Sequence, residues 1–338
     1  MAVESRPPAV GIFSTLIFTK FIMNQSTKFS LHATLAAAVM SFGGAALAAS
    51  FDANMELDNT YRSGTAVAAG DKGLSQGGRV EMNASGKAGA NLFVAGKAAF
   101  LAKKDGTVAT DDMWIQMGSV SGDVKLGRFE AADLFPLVGD TLVNHAGNVY
   151  GTNALRGRKD GSQFHAAGTL NLGSGLSVEL GVVENKSATL GIAKGLRPVL
   201  SYAAGPLSAR VGFESGKYNG SGNKLNGAGA TVSYDFGGFK LTGNLASGKS
   251  DAATRNSQNA AGLTVNTGGL SVGVIAATTE EAVGKSKVQT AYVAYAMPLF
   301  DIKGATWTPA VSTSTAKNST TGSSVQETSF RVRLNYAF

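Results

Sequence analysis

Ser329-Phe330-Arg331-Val332-Arg333-Leu334-Asn335-Tyr336-Ala337-Phe338, the end of the chain, decides the fold class. Phe330, Val332, Leu334, Tyr336 and Phe338 hold one set of alternate positions; Ser329, Arg331, Arg333, Asn335 and Ala337 hold the other. A strand turns successive side chains to opposite faces, whereas a helix would scatter these residues around its surface. The same alternation runs through Phe51–Asp58, Gly77–Lys87 and Leu207–Glu214. Strands this polar on one face, repeated along the chain, have no second sheet to bury against. The class is all-β.

Composition narrows the choice further. The chain has 338 residues, with 44 Gly, 7 Pro and no Cys. Charged residues are 16%, against about 25% in soluble domains. No run of about 18 apolar residues exists, which excludes a helical membrane bundle. Without cysteine there is no disulfide framework, thiolate zinc site or Cys nucleophile. From Met23 the chain reads MNQSTKFSLHATLAAAVMSFGGAALAAS. One cation, an apolar run and the small-x-small sequence Ala46-Leu47-Ala48 predict a secretory signal peptide at 23–48. Residues 1–22 form an upstream extension with no evident role, and 49–338 form a single domain.

Sixteen candidate strands begin near Phe51, Gly77, Ala90, Asp111, Gly122, Ser162, Leu176, Arg197, Leu207, Leu225, Phe239, Asn256, Leu270, Val288, Ala305 and Glu327. A membrane-crossing strand needs about 9–11 residues, which leaves room for one connection each. Those connections alternate in length. Val120-Ser121, Gly173-Ser174-Gly175, Gly205-Pro206, Gly237-Gly238 and Thr267-Gly268-Gly269 are short. Between them fall longer polar stretches at 62–76, 103–110, 185–195, 218–224, 250–255, 280–287 and 316–326. Short turns on one rim and longer loops on the other are the pattern of a transmembrane antiparallel β-barrel. The segment 130–161, after the fifth strand, is the longest without alternation, and a loop of that length is usually functional. Pro309 falls inside the fifteenth strand, where it removes a ladder donor and predicts a bulge or a shifted boundary.

Other motifs carry less. Gly243-Asn244-Leu245-Ala246-Ser247-Gly248-Lys249-Ser250 matches a phosphate-binding pattern, but that chemistry needs a loop opening a helix. Here it lies in alternating strand. His145 and His165 have no nucleophile elbow or metal-ligand cluster beside them. The formal charge of +7 is spread over strands and loops with no recognition helix, so nucleic acid is not an expected partner. No cofactor, metal or catalytic residue is predicted.

With these features the chain resembles the sixteen-stranded Gram-negative outer-membrane porins. The stretch Lys125-Leu126-Gly127-Arg128-Phe129-Glu130-Ala131-Ala132-Asp133-Leu134-Phe135-Pro136 stands where that family's third loop begins. Together with the terminal strand, it is also similar to the raffinose-porin-like (glycoporin) branch. The chain departs from the enterobacterial porins in lacking their Pro-Glu-Phe-Gly loop phrase. The resemblance implies an inward-folded loop that narrows the channel, a homotrimer, and a terminal Phe338 read by the barrel-assembly machinery. It implies a channel in the outer membrane for passive diffusion of small hydrophilic solutes, sugars or oligosaccharides among them, and no enzyme.

The expected constriction sets Glu130, Asp133 and Asp140 of the loop against a basic wall. Wall candidates by alternation are Arg79, Lys97, Lys125, Arg210, Arg331 and Arg333, while Arg128, Arg156 and Arg158 flank the loop. Opposed charges across a narrow opening orient dipolar solutes. Basic residues on the later inward faces predict a mild anion preference. Trp114, Phe135 and Tyr150 are candidate sugar-contact aromatics, packing of the loop on the wall being the other reading of them. The rival functions are a hydrolase built on an outer-membrane barrel and a secreted β-rich adhesin.

Overall fold

The computed structural model describes residues 49–137, 146, 153–157, 163–185, 192–218, 222–251, 256–281, 284–318 and 321–338. The upstream extension, the signal segment, and the site candidates Asp140, Tyr150 and Arg158 lie outside the described residues. In chain order the strands are β1 (Ser50–Ser63), β2 (Gly73–Ala88), β3 (Leu92–Ala102), β4 (Val108–Ser119), β5 (Gly122–Arg128) and β6 (Gln163–Gly173). Next come β7 (Leu176–Asn185), β8 (Ile192–Ala204), β9 (Leu207–Tyr218), β10 (Lys224–Asp235), β11 (Lys240–Ser250) and β12 (Asn256–Thr267). The last are β13 (Leu270–Glu281), β14 (Gly284–Tyr295), the two-residue β15 (Met297–Pro298), β16 (Ala305–Asn318) and β17 (Ser324–Ala337). Sixteen long strands are thus joined by one short bridging pair.

Every long strand pairs antiparallel with its neighbours in sequence, and β1 also pairs with β17 from Asn54↔Ala337 to Ser63↔Thr328. Ala53 and Phe338 exchange both backbone hydrogen bonds at 2.9 Å. The sheet is therefore a closed barrel with no unpaired edge, the arrangement that satisfies every ladder donor internally.

Alternation decides what each face meets. On β17, Phe330, Leu334 and Tyr336 are exposed outward, while Glu327 and Ser329 are buried and Arg331 and Arg333 half-buried inside. On β9, Val211 and Phe213 point out and Arg210 and Glu214 point in. At the short-turn rim the outward aromatics gather: Phe236 stacks on Phe239 at 4.7 Å, and Tyr336 lies 5.3 Å from Phe338.

Several strands begin earlier than the alternation predicts. β8 starts at Ile192 and not Arg197, and β14 at Gly284 and not Val288. The connection between β13 and β14 shrinks to residues 282–283. Beyond the apolar band a strand has water on both faces, so its end carries no hydrophobic alternation to read. Pro309 causes neither a bulge nor a shift. The β14 ladder stops at Ala294↔Ala310 and the β15 ladder resumes at Met297↔Trp307 in the same register, while Pro309 stays paired with Val332 on the other side. The missing donor interrupts one ladder locally and leaves the register intact.

Candidate functional site: a charged wall and an anchored inner loop

The inner face of β17, β1, β2, β3 and β4 carries a continuous ladder of ion pairs. Arg333 forks onto Asp58, with Nε to Oδ1 at 2.8 Å and Nη2 to Oδ2 at 2.9 Å, and its Nη1 lies 3.0 Å from Glu56. Arg331 reaches Asp58 at 3.2 Å and donates to Thr60 Oγ1 at 3.0 Å. Arg79 stands among Glu56 (3.5 Å), Glu81 (3.1 Å) and Asp111 (3.4 Å). Lys97 bridges Glu81 at 3.0 Å and Asp112 at 3.4 Å. Towards the long-connection rim, Arg62 forks onto Glu327 at 2.8 and 3.1 Å. Register explains the ladder: Asp58 is directly opposite Arg333, and Glu56 is directly opposite Arg79. Cross-strand opposite charges stabilise a sheet modestly; here they also fix these charged groups in place along one wall.

A second set of wall groups holds the root of the long connection. Glu179, inward on β7, accepts the Ala132 amide at 3.0 Å. Glu214, inward on β9, accepts the amides of Ala154 and Leu155, each at 3.0 Å, and Arg197 Nε at 2.9 Å. Arg197 Nη2 also donates to Asn153 Oδ1 at 3.2 Å. Arg210 donates to the Asp133 carbonyl at 2.8 Å. Within the loop, Arg156 Nη1 lies 3.1 Å from both Glu130 and Asp133, and Asn153 Nδ2 donates to Asp133 Oδ1 at 2.7 Å. Phe129 stacks on His165 at 3.9 Å, and His165 Nδ1 is 3.1 Å from the Phe129 carbonyl. Gly157, at φ +99°, passes so close that a Cβ would sit 2.3 Å from His165 Nδ1. Only glycine fits there.

Beyond its root the loop crosses to the far wall. Asn244, inward on β11, donates to the Pro136 carbonyl at 2.7 Å. The Ala146 amide donates to Ser314 Oγ of β16 at 2.9 Å. Phe135, 1% exposed, packs on Ala246, Ala260, Ile275, Ala277, Val288 and Ala316, which belong to β11–β14 and β16. Leu134, fully buried, fills the space above Gly212, where a Cβ would lie 2.6 Å from its Cδ2. The small residues on the inner faces of the later strands thus make room for the loop. The described loop residues thus meet the inner faces of strands between β7 and β16, and the ion-pair ladder lines β17 and β1–β4.

The wall candidates Arg79, Lys97, Arg331 and Arg333 are brought together, and Arg128 joins them, donating Nε to the Asp111 carbonyl at 2.9 Å. The expected segregation into basic wall and acidic loop gives way to alternation among the described residues. Wall bases meet Glu56, Asp58, Glu81 and Asp111, and the loop acids Glu130 and Asp133 meet Arg156. The excess of inward bases that predicted anion preference is offset by these acids. Phe135 has no free ring face, and Trp114 lies under Lys125, whose Nζ is 4.4 Å from the ring centroid. Packing accounts for Phe135. Sequence reading missed Glu179, Arg197 and Glu214 as loop anchors. The phosphate-binding pattern lies in strand β11, with no helix after it.

No protein-family model matches the chain, and no curated protein matches it by sequence. Among solved structures it is similar to an anion-selective porin from Comamonas acidovorans: 16% identity over 86% of this chain and 100% of that one, TM-score 0.64. It is similar to OmpT, an outer membrane protein of Vibrio cholerae in its trimer form, at 12% identity over 86% and 100% of the two chains, TM-score 0.63. A mutant of the Rh. blastica porin matches at 13% identity over 86% and 100%, TM-score 0.57. In fold, the chain is a sixteen-stranded closed barrel of the kind these porins share.

Proposed function

We propose that the protein is an outer-membrane channel through which small hydrophilic solutes and ions diffuse passively. The observation that carries this reading is the division of one closed wall into an apolar outer face and a charged inner face. In a hydrocarbon layer an apolar outward band and complete ladder pairing are both required. A barrel of about sixteen strands encloses an aqueous lumen, whereas one of eight is filled by its own side chains. The loop on the β7–β16 side leaves the ion-pair ladder as the wall that passing solutes meet. Segment 23–48 directs export, Phe338 marks the chain for barrel assembly, and the copies associate as homotrimers. The outer face of β1–β4 suits such association. Met55, Met82, Met113 and Met117 all point outward there beside Gly78, Gly96 and Ala98, an adaptable surface of soft and small groups. Among the similar structures are an anion-selective porin and an outer membrane protein in its trimer form. Alternation of acids and bases in the ladder supports weak charge selectivity and breadth of solute, with no dedicated sugar site.

Purified protein reconstituted in planar bilayers tests the channel: stepwise conductance with ohmic open current is expected. Liposome swelling with a graded series of sugars should show a size cutoff without preference among isomers. A tight, hydrolysis-competent but non-conducting barrel would overturn this function.

A further inference from the structure

The outer face of β8–β16 is chemically unlike that of β1–β4. Directly opposite residues on adjacent strands share a face, so register reads out the rows of this surface. One row runs Val211, Ala230, Leu245, Ala261 and Ala276 across β9–β13. The row above it, towards the long-connection rim, holds Ala228, Ser247 and Asn259 and continues through Thr278 to Lys287 and Lys317. Between these two rows lies a hollow of about 590 Å³, floored by alanines and walled by Val211 and Leu245. Leu245 is 63% exposed.

Nearer the rim the small residues give way to cations. Lys194, Lys217 and Lys224 stand directly opposite one another on β8, β9 and β10, and Lys287 stands opposite Lys317. Lys249 lies two residues above Ser247 on β11. All six are exposed, and none forms an ion pair among the described residues. The acids on this face are Glu184 opposite Lys194, Asp251 beside Lys224, and Glu280, which is engaged by Lys285 at 2.8 Å. They do not balance the lysines. Like charges placed directly opposite each other destabilise a sheet. Held at the edge of an apolar band, they call for anions at headgroup depth.

We propose that this face binds an anionic, phosphate-bearing lipid of the leaflet at the long-connection rim. An acyl chain lies in the hollow, and the phosphate is held by the lysines above it, Lys217, Lys224 and Lys249 foremost. Two independent features, a cavity of hydrocarbon character and a cluster of uncompensated cations, meet at one place and at the spacing of tail and head. The inference rests on the wall standing in a bilayer, as under the channel reading, but not on conduction.

Native mass spectrometry of the detergent-released full chain tests it, using phosphatidylglycerol and phosphatidylcholine of identical acyl chains at equal concentration. Preferential retention of phosphatidylglycerol is expected, weakening at high salt. The preference should fall about fivefold for each lysine neutralised, so K217Q/K224Q should lose most of it. A261F, which fills the hollow, should reduce retention of both lipids, while K72Q/K103Q on the opposite side should change nothing. Equal retention of the two lipids by the wild type, or an unchanged preference in K217Q/K224Q, would overturn the proposal. So would complete displacement of phosphatidylglycerol by millimolar inorganic phosphate, which would mark a free-anion site. Conductance of the same K217Q/K224Q variant should equal wild type. A wild type that retains lipid but never conducts would sink the channel reading and leave this one standing.

Discussion

Replacing Asp58 by Asn removes the carboxylate shared by Arg331 and Arg333 and makes the lumen wall more positive by one charge. The side chains involved retain 17–21% exposure, so solvent screens the pair and its loss costs stability only about 1 kcal/mol. Arg333 keeps Glu56 at 3.0 Å and Arg331 keeps Thr60 at 3.0 Å, so both guanidinium groups stay in place. The effect therefore falls on permeating ions. A unit charge about 5 Å from an ion in water contributes about 0.8 kcal/mol. Anions gain what cations lose, so the unscreened permeability ratio shifts about fifteenfold towards anions. With a Debye length of about 10 Å at 0.1 M salt the shift becomes about fivefold, and at 1 M, where that length is about 3 Å, less than about twofold. Arg333→Gln should shift the ratio the other way by a similar factor, since Asp58 then keeps only Arg331. Reversal potentials across a tenfold salt gradient, centred at low and at high concentration, measure both. Shifts of the same sign in the two variants, or no shift at 0.1 M, would show that solutes do not pass along this ladder.

Further outcomes follow from the loop anchors and the seam. Glu214→Ala strands the fully buried Arg197 and removes the acceptor of two loop amides; a loss of about 3–5 kcal/mol in unfolding free energy is expected, with larger and noisier single-channel currents. Phe135→Ala empties a packed site among the alanines of β11–β14 and β16, at a cost of about 3–5 kcal/mol in loop docking. Its signature should be wider conductance with barrel migration on detergent gels unchanged. Deleting most of 138–152 should raise the sugar size cutoff while the barrel still assembles, because β5 ends at Arg128 and β6 begins at Gln163; an unchanged cutoff would place the segment outside the path. Cysteines at Asn54 and Ala337, opposite each other across the seam, should form a disulfide that joins first strand to last, and a pair slipped by one residue, at Asn54 and Tyr336, should not.

The fold was legible because it depends on a period, and a period survives in any short stretch. Ser329–Phe338 and Phe51–Asp58 each reveal two-sided strands by themselves, and their pairing closes the barrel. The site depends on register, which no single stretch contains. Arg79 meets acids from β1, from its own strand and from β4. Those neighbours are set by where each hairpin turns and by the register shift between Ala98 and Phe100. In the sequence, the inward acids Glu81, Glu179 and Glu214 look alike. The first neutralises a wall cation, and the other two hold the loop. What separates them is the side of the barrel on which each strand arrives.

The inner faces of the later strands carry a further signal in their side-chain size. On β11–β13 Leu241, Leu245, Leu263, Val265, Val272 and Val274 face outward, while the inner face includes Ala246, Gly248, Ala260, Gly262, Gly273 and Ala277, small residues that pass for an ordinary solvated face. Yet a lumen wall open to water gains nothing from Ala246, Ala260 and Ala277, which are buried, and would accept larger polar groups at no cost. Small inward side chains confined to consecutive strands mark a surface already covered. The Phe135 ring, from a connection otherwise destined for water, is what covers it, while its neighbour Leu134 lies over Gly212 of β9. Reading the two together, a run of small inward residues and a pair of bulky apolar residues in the longest loop, locates the loop on its wall. The charged inner faces of β17 and β1–β4 lie away from these described contacts. Along that wall bases and acids from the same and nearby strands meet, as Arg333 does with Asp58 and Glu56 and Arg79 with Glu56, Glu81 and Asp111.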